Sequence, residues 1–295
     1  MNVLYYNGLK KNDRRFISAY NTSFLYGINC FEGLRLYFVH DKILILDLDN
    51  HLRRLYDSLS RLNLSSNISM EGVELEILEI VKSEGIRENC YLRITFFLDD
   101  EVSWSHRGNV SRLISIRSMS SSILDTNYLT TKSLGISKYD RITMKSMPPN
   151  VKAGANYLNS RYATLDVKDR GFDLPLMLNK DGFLTESAGS CLFFFKNNCL
   201  YTPSEDMDIL HSITRKRILD ICRKNSISCY EGAFKTVELE DAEVVFLAGT
   251  MMEITEVHQI ENYTYTTGGY LIGRIRKLYL ESIIRDKNEL YSNNK

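Results

Sequence analysis

The chain has 295 residues, more than the ~100–150 of one typical domain, so two cores of moderate size are expected. Its 37 basic and 37 acidic residues give a formal net charge of zero, so neither nucleic acid nor an anionic membrane surface is indicated as a partner. The hydrophobic fraction of 44% is that of a globular protein, and no run of ~18 uncharged apolar residues could span a bilayer.

The first third of the chain alternates strand and helix patterns. The segments LRLYFVH and KILILDL have strand composition and flank a turn near His40 and Asp41. Helices are predicted at Asn50–Leu62 and Glu71–Glu84, because apolar residues recur in both at helical spacing. Gly85 is placed to end the second helix.

A strand and a connector complete the first half. Tyr91–Leu98 has the composition of a strand, whereas the stretch 117–132 loses periodicity and contains a serine cluster. We therefore expect a small N-terminal domain over residues 1–118, an interdomain connector over 119–131 and a larger C-terminal domain over 132–295.

The second half contains helices and short strands. Helices are predicted at Asn156–Asp169, Ile213–Lys224 and Tyr270–Ile284, and a strand at Glu243–Leu247. The segments LPLMLN, CLFFFK and CLYT are typical of antiparallel strands joined by tight turns. This order of elements, without an internal repeat, favours an α+β fold over a repeat array or a doubly wound sheet.

The cysteines, histidines and N-terminal residues bear on metal binding and location. The six cysteines include no CxxC pair and the five histidines no HExxH spacing, so no metal site is predicted. The N-terminal segment MNVLYYNGLKKNDRR has its apolar residues before its charges, the opposite order to a secretory signal. We expect reduced thiols and a cytoplasmic protein with no membrane span.

The segment VKAGANY around Lys152 resembles the cofactor-lysine motif of class IV (fold type IV) aminotransferases, and branched-chain aminotransferases carry a closely similar string. Further similar segments follow the family's order along nearly the whole chain: YG at 26–27, FEGLR at 31–35, HLRRL at 51–55, YLR at 91–93, LTESAG at 184–189, SITR at 212–215 and AGT at 248–250. The resemblance implies a two-domain fold of the D-amino acid aminotransferase type, with a small N-terminal α/β domain. It also implies pyridoxal 5'-phosphate as cofactor and a homodimer.

The resemblance assigns roles in cofactor binding. Lys152 is the catalytic lysine that holds the cofactor, Glu186 binds its pyridine nitrogen and Tyr157 its phenolic oxygen. The phosphate is assigned to Arg54, Ile213, Thr214 and Thr250. The residues themselves support part of this assignment, since Ser212 is a good N-cap and a helix N-terminus binds phosphate readily.

The substrate pocket is assigned in the same way. Strand alternation puts Tyr91 and Arg93 on one face, and an inward arginine needs an anionic partner such as a substrate carboxylate. The residues assigned to substrate binding are Tyr26, Phe31, Gly33, Arg35, Tyr91, Arg93, Thr250 and Met251.

The chain also departs from the branched-chain pattern. Met251 and Met252 follow Thr250 where the family has small residues, Cys191 replaces an asparagine, and the connector, which partly roofs the family's pocket, lacks its usual aromatic and glycine content. The function predicted is ping-pong transfer of an amino group between an L-amino acid, branched-chain or related, and a 2-oxo acid. Three alternatives stay open: an enzyme like aminodeoxychorismate lyase, one like D-amino acid aminotransferase, and a pyridoxal-phosphate-binding protein without turnover. The preferred donor and acceptor and the pathway also stay open.

Overall fold

The computed structural model describes residues 2–13, 17–119, 122–125 and 130–285, together with the backbone of 290–292. The chain forms two compact units. Unit 1 comprises Met1–Ser121, Val151–Ala155 and Asp286–Lys295, and unit 2 comprises Ser122–Asn150 and Asn156–Arg285. The segment Val151–Ala155, which the predicted division puts in the C-terminal domain, thus packs with unit 1.

Unit 1 consists of an antiparallel sheet and three helices. Its strands are β1 (Asn2–Tyr6), β2 (Leu9–Lys10), β3 (Asn29–Val39), β4 (Lys42–Ile45), β5 (Cys90–Phe97), β6 (Ser111–Ser118) and β16 (Leu290–Ser292). Its helices are α1 (Thr22–Tyr26), α2 (Leu48–Arg61) and α3 (Met70–Ser83). The strand order is β16-β4-β3-β5-β6-β1-β2, so the two strands that carry FEGLR and YLR, β3 and β5, are neighbours.

The core of unit 1 lies on one face of this sheet. Leu34 and Leu92 are directly opposite each other in β3 and β5, and both are fully buried. The apolar stripes of the two predicted helices cover this face, with Leu55 of α2 and Ile77 of α3 also fully buried. The helices start and end within two residues of the predicted bounds. The opposite face, called the polar face below, carries Arg35, Tyr91 and Arg93 together with aromatic rings such as that of Phe31.

Unit 2 consists of a closed barrel with helices. Its strands are β7 (Thr131–Ile136), β8 (Leu174–Leu178), β9 (Leu184–Ser187), β10 (Ser190–Lys196), β11 (Cys199–Pro203), β12 (Cys229–Gly232), β13 (Val244–Gly249), β14 (Glu253–Ile260) and β15 (Tyr263–Thr264). Its helices are α4 (Tyr157–Asp169), α5 (Ile213–Lys224), α6 (Tyr270–Ile284) and a 3-10 turn at Thr236–Leu239. The order β10-β13-β14-β7-β8-β9 closes because β9 pairs with β10. None of the helices in the described part of the chain is long and apolar enough to cross a membrane.

The structure shortens the stretch that the sequence predicts to be irregular. The stretch 117–132 was predicted to be irregular, but β6 continues to Ser118 and β7 begins at Thr131. Residues 120–121 and 126–129 of the connector lie outside the described part. Strand β7 was missed because it pairs in parallel with β8 and β14, which are distant in sequence, and no local turn marks such a pairing.

Candidate active site

The polar face of the unit 1 sheet brings several of the predicted substrate residues together. Phe31 and Gly33 of β3 lie opposite Thr95 and Arg93 of β5, and all four side-chain positions are on the face away from the core. The guanidinium carbon of Arg93 is 3.5 Å from the centroid of the Phe31 ring, and its Nε donates to the Thr95 hydroxyl at 3.2 Å. The aromatic ring and the hydroxyl thus orient a cation on this face.

Gly33 makes room for Tyr91. A Cβ atom at position 33 would lie 2.2 Å from the Tyr91 hydroxyl oxygen, a distance that real side chains do not show. Glycine at this position therefore allows the Tyr91 ring to cross β3 on the polar face. Arg35, directly opposite Tyr91, is buried, with its guanidinium carbon 5.9 Å from the centroid of the Tyr37 ring.

Lys152 is held by β3 and by α2 of unit 1. The amide of Phe31 donates to the Lys152 carbonyl at 3.1 Å, and the Lys152 amide donates to the hydroxyl of Ser58 in α2 at 3.1 Å. The Lys152 Nζ atom is 5.1 Å from the centroid of the Phe31 ring. Its amine and the Arg93 guanidinium therefore share one aromatic ring, as expected if an amine nucleophile works beside a carboxylate-binding cation.

A buried carboxylate organises the arginine predicted to bind phosphate. Glu32 is fully buried and accepts from Arg54 Nε at 2.6 Å, from Arg54 Nη2 at 2.9 Å and from His51 Nδ1 at 2.7 Å. Burial disfavours the charged carboxylate, but the positive charges of Arg54 and His51 outweigh it and hold the pKa of Glu32 below its usual range. Arg53, the other arginine of the HLRRL segment, is exposed and pairs with Asp49.

Tyr26 ends the short helix α1. Asn21 caps the start of this helix by accepting from the Phe24 amide at 2.6 Å, and Gly27 follows its end with φ at 71°. The Tyr26 ring is half exposed and meets the Trp104 ring edge to face, with 5.6 Å between the centroids. Tyr26 is thus positioned by α1 and by the loop after β5, whereas Phe31, Gly33 and Arg93 are positioned by the sheet.

Glu186 of unit 2 is buried on β9 and oriented by two donors. Its Oε1 atom accepts from Arg141 Nη2 at 2.7 Å and from the Leu210 amide at 3.0 Å. Arg141 is itself buried, so the ion pair is shielded from water. A carboxylate fixed in this way suits a partner whose cationic form must be stabilised, such as a protonated ring nitrogen.

The helix α5 begins at the predicted residue. Ser212 is its N-cap and accepts from the Arg215 amide at 3.2 Å. The amides of Ile213 and Thr214 lie in the first turn, where they are not used by the helix itself. This end of a 12-residue helix carries the partial positive charge that binds phosphate groups.

Cys191 connects this helix end to the other two predicted cofactor segments. In β10 it lies directly opposite Glu186 of β9 and Ala248 of β13. Its thiol donates to the Ala248 carbonyl at 2.9 Å and lies 3.7 Å from the Ser212 hydroxyl. Burial raises the pKa of this thiol to about 12, so Cys191 is a neutral donor. Ala248 is two residues before Thr250, so the helix and the turn predicted to bind phosphate converge here.

The remaining predicted residues lie at a helix start and in a turn between strands. Tyr157 is the first residue of α4 and is partly exposed. Thr250 and Met251 form the turn between β13 and β14, and the Met251 side chain is 38% exposed. A Cβ atom on Gly249 would be 3.1 Å from the Gly189 carbonyl oxygen, so glycine lets this turn approach the segment between β9 and β10.

The donors in unit 2 fit the pyridoxal phosphate that the resemblance implies. Among the described residues, the buried hydroxyls of Ser187 and Ser190 and the Nε of Arg141 have no hydrogen-bond partner in the protein. Arg141 is the ion-pair partner of Glu186, and Ser187 and Ser190 adjoin Glu186 and Cys191 in sequence, so polar capacity for a ligand remains close to the predicted cofactor residues.

Sequence reasoning missed the residues that orient the predicted ones. Glu32 lies within FEGLR but was not assigned a role, and a carboxylate inside an otherwise apolar strand was the available signal. Arg141 gave no such signal, because it lies in a loop where arginine is common. The hydroxyl of Ser58, which binds the Lys152 amide, was hidden in the same way on a helix.

Known proteins resemble this chain in sequence and fold. The family described as amino-transferase class IV matches residues 29–260. A probable branched-chain-amino-acid aminotransferase of Aquifex aeolicus is 29% identical over 93% of this chain and 89% of its own, and one of Synechocystis is 30% identical over 84% and 81%. The crystal structure of the branched-chain amino acid aminotransferase from Thermobaculum terrenum in its PLP form superposes with a TM-score of 0.90 at 24% identity, covering 99% of this chain and 98% of that one. The two-domain α+β fold is thus confirmed, and the chain belongs to the class IV aminotransferases, enzymes that use pyridoxal 5'-phosphate.

Proposed function

We propose that this aminotransferase moves the amino group of an L-amino acid of the branched-chain type, or a related one, to a 2-oxo acid. The observation that carries the proposal is the position of the Lys152 amine beside the Phe31 ring, which also packs on Arg93. A nucleophilic amine and a carboxylate-binding guanidinium are the two groups that an amino-acid substrate needs closest to its reacting carbon. Both named relatives above are described as branched-chain-amino-acid aminotransferases, which supports the substrate class.

Each cofactor-binding residue has a proposed task. Lys152 holds the cofactor covalently, Glu186 binds the ring nitrogen and Tyr157 the phenolic oxygen. Arg54, the amides of Ile213 and Thr214, and Thr250 hold the phosphate. When bound, pyridoxal phosphate supplies the electron-poor ring that accepts the electron pair of the substrate's Cα–H bond.

The protein supplies the proton transfer and the electrostatics. In the loaded enzyme, the free Nζ amine of Lys152 would take the α-proton from the donor amino acid and would give it up again in the next proton transfer. The buried pair of Arg141 and Glu186 keeps a negative charge at the ring nitrogen without reorganisation, as effective electrostatic catalysis requires. Arg93, Tyr91 and the amides around Met251 orient the substrate carboxylates.

We further propose a cytoplasmic homodimer. All six cysteines are free thiols, which is usual for proteins of a reducing compartment. Phe24 and Leu25 of α1 expose 74% and 53% of their surface, an apolar patch of the kind that a second subunit covers. Light scattering that finds a monomeric active species would reject the dimer.

The test of the function compares wild type with Lys152→Ala and with Lys145→Ala, which alters an exposed lysine in the preceding loop. Wild type and Lys145→Ala are expected to be yellow, to carry a borohydride-fixed cofactor adduct on Lys152, and to convert L-leucine and 2-oxoglutarate into the matching oxo acid and glutamate. Lys152→Ala should form no cofactor adduct at position 152 and should not transaminate. If peptide mapping puts the adduct on another lysine, or if wild type binds cofactor but transaminates no donor of a broad panel, the proposal is wrong.

A further inference from the structure

Glu253 is a buried carboxylate in an unusual backbone conformation. It is the first residue of β14, it is fully buried, and its φ is +50°, in the left-handed region that residues other than glycine rarely adopt. A buried carboxylate is retained only where donors compensate for its lost hydration. Glu253 is three residues after Thr250. The groups that donate to its carboxylate therefore identify the segment that is held next to the Thr250 turn.

The donors come from the connector. The Ile123 amide donates to one Glu253 oxygen at 2.8 Å, and the Ser122 hydroxyl lies 3.4 Å from the other. Residues 122–125 form a tight turn, in which Asp125 accepts from the Ser122 amide at 2.8 Å and donates its own amide to the Ser122 carbonyl at 2.9 Å. Ser122 and Ile123 are buried. The carboxylate thus caps a preformed turn.

The end of the connector is fastened to the same strand. The Glu256 amide donates to the Thr130 carbonyl at 3.2 Å, and the hydroxyls of Thr130 and Thr255 are 3.3 Å apart. These contacts continue directly into the pairing of β7 with β14. The turn 122–125, in contrast, belongs to no strand. The Glu253 carboxylate therefore holds the start of the connector, whereas sheet pairing holds its end.

We propose that Glu253 is a positioning residue for substrate binding: its carboxylate holds the first turn of the connector beside the turn of Thr250 to Met252 and so shapes the space next to the substrate carboxylate. This role rests on the proposed function, in which the amides around Thr250 and Met251 bind that carboxylate. Lys152 belongs to unit 1, and Glu186 and the start of α5 lie on other elements than the connector and β14. Loss of the Glu253 charge should therefore weaken substrate binding and leave cofactor binding intact.

Glu261 provides a matched control within the same unit. It follows the last residue of β14, its φ is +48°, and its Oε1 accepts from the Ile136 amide at 2.5 Å and from Arg170 at 3.0 Å. Glu253 and Glu261 therefore share the backbone strain and the acceptance of a main-chain amide. They differ in what they fasten, since Ile136 belongs to β7 and not to the connector.

The experiment compares the holoenzymes of wild type, Glu253→Gln and Glu261→Gln. Glu253→Gln keeps one acceptor oxygen but turns an NH2 group towards the second donor. We expect KM for donor and acceptor to rise about tenfold in Glu253→Gln, with kcat changed less than about twofold, because a displaced connector turn weakens the binding of the substrate carboxylate equally in the ground state and in the transition state. Calorimetric titration with 4-methylpentanoate, which has no amino or oxo group, should show the same loss of affinity. The retained cofactor absorbance should equal that of wild type.

The control separates positioning from fold support. Urea midpoints of both apoprotein variants should fall together, while Glu261→Gln keeps the wild-type KM and affinity for 4-methylpentanoate. If Glu253→Gln does not accumulate as folded protein, Ser122→Ala removes the weaker contact from the connector side and should raise KM about twofold to threefold.

Two results overturn the role of Glu253 alone: wild-type affinity in Glu253→Gln, or an equal loss in Glu261→Gln. A wild-type holoenzyme that neither transaminates any donor nor binds the carboxylate would overturn the proposed function and this role with it.

Discussion

The cluster of Glu32, Arg54 and His51 allows the stability of unit 1 to be tested through one side chain. In Glu32→Gln the shape is kept, but the charge is lost and an NH2 group replaces an oxygen that accepts from a donor. Glu32 and His51 are almost completely buried, and the Arg54 side chain is only 12% exposed, so water cannot replace the lost acceptor. Removal of one member of a buried ion pair costs about 3–5 kcal/mol. Because Arg54 keeps some access to water, we expect a loss of about 3 kcal/mol.

The assay uses the single tryptophan of the chain. Trp104 lies in unit 1, so its fluorescence during urea titration of the apoprotein reports the unfolding of that unit. Glu256→Gln is the control, since Glu256 is a buried carboxylate of unit 2 that accepts from the Gly268 amide at 2.6 Å and lies 3.4 Å from Arg276. It should not move the Trp104 transition. A free energy of unfolding of Glu32→Gln within about 1 kcal/mol of that of wild type would refute the account of this cluster.

The pH dependence of the free energy of unfolding tests the same prediction in a second way. The folded-state pKa of Glu32 lies below its ordinary value of 4.5, so the unfolded chain takes up a proton at this residue before the folded protein does. The stabilisation is therefore fully present above about pH 4.5 and is lost as the pH falls towards the folded-state pKa. The difference between wild type and Glu32→Gln should be constant from about pH 7 to about pH 5 and shrink below that. A difference that grows on acidification would contradict the assigned charge state.

Two further predictions concern the reaction. Glu186→Gln should still bind the cofactor but slow α-proton removal about a hundredfold or more, because the amide no longer offers a negative charge at the ring nitrogen; single-turnover absorbance kinetics measure this, and near-normal rates would remove Glu186 from the site. Met251→Ala should change the relative kcat/KM across a panel of aliphatic donors about tenfold to a few hundredfold, because the flexible Met251 side chain fills space that a small residue leaves open. If wild type already prefers branched-chain donors strongly and the variant leaves the ranking unchanged, Met251 does not line the substrate pocket.

Signals within single segments were sufficient to predict several elements of the fold. The helices Ile213–Lys224 and Tyr270–Ile284 have the predicted bounds, because apolar periodicity and, for the first, the Ser212 cap lie within each segment. The alternation in Tyr91–Leu98 likewise placed Tyr91 and Arg93 on the polar face, since side chains alternate in any strand. The ordered motifs around Lys152 identified the family and its cofactor, which the comparisons confirm.

The groups that hold these residues in place became visible only in three dimensions. Glu32 meets Arg54 across 22 residues, Arg141 meets Glu186 across 45, and Glu253 meets Ile123 across 130. No periodicity or capping rule reaches over such separations, because these pairs form when strand order and register bring distant segments together. The parallel strand β7 escaped prediction for the same reason. A buried ion pair depends on both partners being withdrawn from water at the same point, and that condition exists only in the folded chain.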